Sequence, residues 1–573
     1  MSIFLASLVP PAAQTGAQNV ERPAQRRTTN VEGNHAWTPE EYARSVLSFA
    51  HSTGLYNGED YKNLGSFLMR PWDSTFPRSS NSDSMRQQTV LPPALYVWAD
   101  ASSPTSKSSL QTIDDLAQID PQSIEDQVGA MIILSGYQTP DWLNAVGSRL
   151  RLDPAVFQDH LEFRVPFGRR DLYTSPSLPS TTQSLVRLRY FTIGVREDNA
   201  QLREVSTYRK RASDEMDQYL AGLFDERNVQ PGDTITRGYY VHSPTVFSIE
   251  QQITIGIQRC AGGGWTGVTW VDSGNERENG LAAPWRDPHT ARPSWGGLLP
   301  IVMRSPKIAL KWQHRNMTSE AHREKAQSHC HLQDSYGSSL DPRIMANEPF
   351  YAITEVMQFA AFSICQLLNM IDSTISRATL AETIVSNNYD ISELSYHQQL
   401  LDEVARTLRE NLRVIDQRGS ATWPKAKDPK QRSKADRAAA SLLADYRELE
   451  HRNQDLIKRC HNHMKTIINQ ASIAETQRSL EQATKVTQLT WLAFMFVPLT
   501  FTTSFLGMNV SIFGQGTAPL WLWFAITAPL MLVAFVLLIL GNRVPTKQAA
   551  DEQMLKLKRR RFWREVWDRG ASV

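Results

Sequence analysis

Between Lys485 and Arg543 the chain runs for 57 consecutive residues without an Asp, Glu, Lys or Arg. Charged residues make up 21% of the whole sequence, so a water-facing stretch of that length would carry several; this one is built for another solvent. Within it, 489–506 (LTWLAFMFVPLTFTTSFL) and 519–540 (PLWLWFAITAPLMLVAFVLLIL) are each long enough to cross a bilayer as a helix. They are separated by the short loop 507–518, which predicts a transmembrane hairpin. Arg478 and Lys485 precede the first span, and 541–573 holds nine Lys or Arg against four Asp or Glu. The positive-inside rule then places both ends of the chain in the cytosol and the loop on the far side. The expected location is the plasma membrane, with other organelle membranes open, and the basic tail suits anionic lipid headgroups.

The remainder reads as a soluble body attached to that hairpin. Residues 1–35, rich in Pro, Ala, Gln and Thr, predict a disordered tail. Their opening apolar run is short for a signal peptide, and Glu21 and Glu32 interrupt a transit-peptide composition. Residues 36–310 predict a soluble α/β domain. Thr38-Pro39-Glu40-Glu41 starts a helix with a capping box, and 111–161 carries a helical pattern broken by Asp-Pro and Thr-Pro start signals. The runs 91–100, 161–167, 184–195, 245–258 and 265–272 have strand character, the last pairing back on the one before it across Gly262-Gly263-Gly264. Residues 311–430 form a linker and helical region, with helical periods over 349–377 and 392–417. From 431 to 506 the helical pattern runs unbroken into the first span; 76 residues make a rod on the order of 110 Å, which starts in the cytosol and ends across the bilayer. The expected fold class is thus an α+β cytosolic domain, long helices and a C-terminal two-helix transmembrane hairpin.

Several functional classes drop out. With 61 Lys+Arg against 59 Asp+Glu the chain lacks the basic excess of a nucleic-acid binder. The triple glycine is not followed by Gly-Lys-Ser/Thr, no G-x-S-x-G occurs, and none of the 13 histidines begins H-E-x-x-H, so an enzyme is not expected and no cofactor is called for. Cys260, Cys330, Cys365 and Cys460 are too scattered for a disulfide framework. His329-Cys330-His331 and Cys460-His461-Asn462-His463 hold zinc-type ligands, but adjacent side chains point apart, which favours structural or surface roles.

The first span carries a pattern that its neighbour lacks. Reading back from Ser504 in steps of four and three gives Thr500, Val497, Ala493, Thr490, Val486, Ala483, Ser479, Thr476 and Ser472, all small or β-branched. The bulky residues Trp491, Leu492, Phe494, Met495, Phe496, Leu499, Phe501 and Phe505 lie off this row. Heptad spacing of small residues suits the axis of a parallel supercoiled bundle, and hydroxyls along it suit water; simple helix-on-helix packing is the competing explanation. One hairpin cannot enclose a pore, so transport requires an oligomer.

The span ends in FVPLTFTTSFLGMNV, with Gly507-Met508-Asn509 at its non-cytosolic end and Pro498-Leu499-Thr500 just before. This resembles the CorA-type magnesium transporter superfamily, in which a Gly-Met-Asn tripeptide closes the first of two transmembrane helices near the C-terminus. The resemblance is strong over 431–543; upstream, LRLDPAVFQDHL (150–161) is similar to a helix segment of the family's soluble domain. It implies a funnel-like homopentamer that conducts magnesium, with Gly507, Met508 and Asn509 as selectivity filter and Ser504, Thr500, Val497, Ala493, Thr490 and Val486 lining the pore. Gly507 and Asn509 would meet the ion through its bound waters, since magnesium dehydrates reluctantly. Magnesium would be the transported ion and a candidate regulatory one. In one respect the sequence departs from the family pattern: the loop after the motif, VSIFGQGTAPL (510–520), has no acidic residue to concentrate cations. Zinc, cobalt or nickel transport by the same fold stays open, as does a membrane-anchored scaffold or sensor that conducts nothing. On the cytosolic side Glu475 adjoins the row and reads first as a solvated carboxylate.

Overall fold

The computed structural model describes residues 37–52, 58–74, 94–100, 105–119, 124, 128–162, 178, 184–195, 205–225, 229–275, 281–285, 297–302, 336–379, 391–507 and 520–543. The expected tail 1–35, the His329-Cys330-His331 cluster, most of 161–167, residues 508–518 and the basic tail from 544 lie outside them. The chain divides into two compact units, 1–389 with 395–458, and 459–573 with 390–394.

In chain order the elements of the first unit begin with α1 (Pro39–Ala50), α2 (Gly58–Met69), β1 (Ala94–Asp100), β2 (Ser106–Leu110), α3 (Ile113–Ala117) and β3 (Val128–Ser135). Next come α4 (Pro140–Leu150), α5 (Ala155–His160), β4 (Leu185–Val195), α6 (Val205–Phe224), β5 (Gly238–Val241), β6 (Val246–Arg259), β7 (Trp265–Val271) and the short β8 (Gly297–Leu298). The helices α7 (Pro342–Asn347), α8 (Pro349–Thr379) and α9 (Ile391–Gln417) follow, then α10 (Pro429–Gly507), which continues into the second unit, and α11 (Leu520–Arg543).

Among the described residues eight strands form one mixed sheet in the order β2-β1-β3-β7-β6-β4-β8, with β5 also on β6. Only β3 and β7 run parallel, with Gly129 opposite Trp265. The β6–β7 hairpin turns where the triple glycine predicts it, with Gly263 at φ 100° and the Cys260 N–H donating to the Gly264 carbonyl at 2.9 Å. The capping box of α1 is present: Thr38 Oγ1 accepts from the Glu41 N–H and the Glu41 carboxylate accepts from the Thr38 N–H.

The helical reading of 111–161 needs correction at its centre, where VGAMIILS is the strand β3. Seven of its eight residues are buried, so both faces of the strand are covered and its side chains show no alternation. A short apolar run without alternation is equally compatible with a buried helix until its neighbours are known.

Helices α1, α2, α4 and α5 build a core against one face of the sheet around Tyr42, Phe67, Phe157 and Trp270. Another helix, α8, lies against β4. Its Ser363 hydroxyl donates to the Phe191 carbonyl at 2.8 Å and accepts the Phe191 N–H, so one side chain satisfies both backbone groups of a strand residue beyond the reach of the two-residue β8. Tyr446 on α10 donates to the Met357 carbonyl of α8 at 2.9 Å, and Asn453 Nδ2 donates to the Leu401 carbonyl of α9 at 2.9 Å. Helix α9 ends at two residues with positive φ, Arg418 at 54° and Gly419 at 73°, where the Gly419 N–H closes on the Val414 carbonyl.

Candidate functional site

Two described helices are long and apolar enough to cross a membrane, Pro349–Ser376 and Pro429–Ser504, and a shorter apolar stretch covers Trp523–Leu537. Burial separates the first two, because the apolar window of Pro349–Ser376 is 72% buried inside the first unit and that of Pro429–Ser504 only 11%. Helix α8 is therefore a core helix. In α10 every residue from Ile468 to Val497 is exposed, including Ile473, Leu480, Val486 and Leu489. The uncovered apolar stretch from Val486 to Val497 calls for lipid, another chain, or both.

The second unit shows how the hairpin closes. Trp491 meets Phe535 edge-on, with ring centroids 6.2 Å apart. Nearer the loop, the Thr527 hydroxyl donates to that of Thr502 at 3.2 Å, and both side chains are buried. Thr527 is the one hydroxyl in the span 519–540 apart from its flanking loop, and it goes to a residue that the small-residue row does not include. At about 100° per residue, Trp491, Pro498 and Thr502 fall on one face of α10, while Ala493, Val497, Thr500 and Ser504 fall roughly opposite. In agreement, Thr502 is buried, Pro498 and Leu499 are half-buried, and Val497, Thr500 and Ser504 are exposed.

Ala493, Val497, Thr500 and Ser504 of the predicted row thus stand on the face turned away from the hairpin partner. Thr490 Oγ1 donates to the Val486 carbonyl at 2.8 Å and Thr476 Oγ1 to the Ser472 carbonyl at 2.8 Å, while Thr500 Oγ1 is shared between the carbonyls of Phe496 and Val497. With their protons turned back onto the helix, these oxygens present lone pairs outward and act as acceptors. Acceptors suit the water shell of a cation. Gly507 is the last residue of α10; Met508 and Asn509 lie outside the described residues.

Other sequence candidates assemble less. Cys460 is buried, His461 exposed and His463 half-buried, and burial together with the nearby Arg459 pushes the His463 imidazole down. Among the described residues no group of three or more His, Cys, Asp or Glu is placed to hold a metal ion. Glu475 is exposed on α10.

A polar centre that sequence reading missed lies in the first unit. Arg237 holds Asp272 through Nε at 2.6 Å and Nη2 at 2.9 Å, and also donates to the His160 carbonyl at 2.7 Å. His160 stacks on Trp270 at 4.1 Å, with its Nδ1 2.9 Å from Thr254 Oγ1. Gln252 Nε2 donates to that threonine oxygen at 2.7 Å, so the threonine proton is free to go to Nδ1 and the imidazole keeps its own proton on Nε2, facing Asp272. Burial pushes the imidazole down to about 4 against the pull of Asp272. Burial alone would raise the Asp272 carboxyl, but Arg237 and His160 outweigh it and hold the group at about 2. Alongside, Arg189 pairs with Glu162 and, at 3.5 Å, with Glu250, and the Tyr240 hydroxyl lies 2.7 Å from Glu250 and 3.0 Å from Glu403 of α9. Arg187 and Arg189 on β4, with Glu250, Gln252 and Thr254 on β6, repeat every second residue in apolar strands. That period-two polar pattern was the available signal. The cluster ties sheet to helix and carries no reactive geometry.

Comparison with known proteins bears on the long helix and hairpin. A search of curated proteins finds no match. Among solved structures, the complete structure of the CorA magnesium transporter from Methanocaldococcus jannaschii matches at 10% identity over 77% of this chain and 96% of that one, with a TM-score of 0.32. Residues 343–541 match the family model of the CorA-like Mg2+ transporter protein, a family of transporters rather than enzymes. Over those residues, from α7 to the end of the hairpin, the chain is similar to the CorA-like Mg2+ transporter proteins.

Proposed function

We propose that this protein is a divalent cation channel, with magnesium as its principal ion, formed by a homopentamer in which five copies of α10 surround the path. The observation that carries this reading is the placement of Ala493, Val497, Thr500 and Ser504, uncovered and roughly opposite the face that packs on α11. Five such faces turned inward would give rings of outward-facing threonine oxygens separated by a narrower apolar stretch at Val497 and Ala493, which suits gating by dewetting. At the mouth, Gly507 carbonyls and Asn509 amide oxygens would accept hydrogen bonds from the ion's waters, and Met508 would pack between helices. Both termini would lie in the cytosol, with the basic tail on anionic headgroups.

Uptake of magnesium into proteoliposomes tests the reading. Flux that is lost in Asn509→Ala and Gly507→Ala supports it, and flux indifferent to both overturns it. The acid-free 510–520 loop favours one narrower alternative, transport of zinc, cobalt or nickel by the same path, because weak attraction at the mouth leaves selection to the filter. Competition among the four ions in that assay separates the two. A scaffold that conducts nothing would show no flux, and native mass measurement in mild detergent would find no pentamer.

A further inference from the structure

The two membrane helices are each weakened at one level. Pro498 is the proline inside α10 and Pro529 the one inside α11. The Trp491–Phe535 and Thr502–Thr527 contacts fix the antiparallel register, and it sets these prolines opposite one another to within about one residue. Proline has no N–H, so the carbonyls of Phe494 and Ala525 lose their helical donors at the same depth, and each helix is free to bend and turn there. An interhelical hydrogen bond near this level adds a directional contact to the apolar packing.

Just beyond this level, towards the loop, stands the Thr527–Thr502 bond. Its direction is fixed by proton count. Thr502 Oγ1 donates to the Leu499 carbonyl at 3.0 Å, so its oxygen is left to accept, and Thr527 is the donor. The result is a directional chain from α11 through Thr502 to the backbone of α10, one residue past Pro498. Thr502 lies roughly opposite Thr500 and Ser504, so whatever fixes the azimuth of Thr502 fixes theirs.

We infer that Thr527 and Thr502 are positioning residues that set the rotation of the loop-side end of the first span, and with it the aim of Thr500, Ser504 and the Gly507 end of the helix toward the ion. This rests on the channel reading above. It also explains why a span otherwise apolar keeps a hydroxyl away from the proposed path.

The test uses the full-length protein in proteoliposomes, with magnesium and nickel uptake measured side by side. The double variant Thr502→Val, Thr527→Val replaces both partners with isosteres and leaves no unpaired hydroxyl, so the fold and the assembly mass are expected to be retained. Its magnesium-to-nickel uptake ratio is expected to fall by about tenfold or more, since a misplacement of the order of 1 Å costs up to about a hundredfold where geometry decides the outcome. Thr502→Ser with Thr527→Ser rebuilds the bond and is expected to restore the ratio. A wild-type ratio in the double valine variant, or a serine variant as defective as the valine one, overturns the inference and leaves the channel reading intact. Absence of any divalent uptake by the wild-type protein sinks both.

Discussion

His160 Nε2 lies 3.0 Å from Asp272 Oδ1 with neither side chain exposed to solvent. An unfolded imidazole takes up its proton near pH 6.5, whereas this one resists until about 4. Its stabilising effect is therefore complete above pH 6.5 and is lost as the pH falls toward 4, by on the order of 3 kcal/mol. Buried His242, pushed down by burial and by His397 and Arg209, acts in the same direction. Asp272 adds a further loss only below pH 3.8, as its carboxyl titrates toward about 2. Melting of the solubilised protein is expected to fall markedly between pH 6.5 and 4, and His160→Gln to flatten that dependence. An acid response unchanged in that variant refutes the assignment.

Ser363→Ala leaves the Phe191 N–H and carbonyl without the hydroxyl that serves both. The expected loss is about 1–3 kcal/mol, read as a lowered denaturation midpoint with an unchanged slope.

Gly419→Ala asks an alanine to hold φ 73°, and its methyl group would strike the Trp423 ring. Both penalties act at the turn between α9 and α10, so the variant is expected to lose about 1–3 kcal/mol or more. Thermal unfolding measures it, and a wild-type midpoint would show that the turn relaxes freely.

Thr500→Val keeps the branched shape and removes the outward acceptor. Magnesium uptake is expected to fall about tenfold, the loss of roughly one charge-assisted hydrogen bond. Thr503→Val is the control: Thr503 also donates to the helix backbone, through the Leu499 carbonyl at 2.8 Å, but it lies off the row and should conduct normally. Equal effects at both positions would count against a facing path.

Local chemistry is what the sequence made legible. The Thr38 capping box, the glycine turn before Trp265 and the unbroken helix from Pro429 to Gly507 each follow from residues close together in the chain. The small-residue row was readable for the same reason, since helical spacing alone places Val497, Thr500 and Ser504 together. Strand β3 was not, because covering both its faces erases the alternation that marks a strand. The Thr502–Thr527 bond and the Arg237–Asp272–His160 centre join residues 25 or more apart, so no local rule announces them. Residues 508–518 lie outside the described structure, so Met508 and Asn509 rest on their motif and on the family match.

The burial of α8 has a consequence for how the protein is made. To an insertion machinery that samples nascent chain by hydropathy alone, Pro349–Ser376 passes as the first membrane segment to emerge, well before the hairpin. Strand β4, which receives it, and all the other strands among the described residues end by Leu298, so the surface that buries this helix leaves the ribosome first. Order of synthesis thus puts the sheet in place to receive the apolar helix as it emerges.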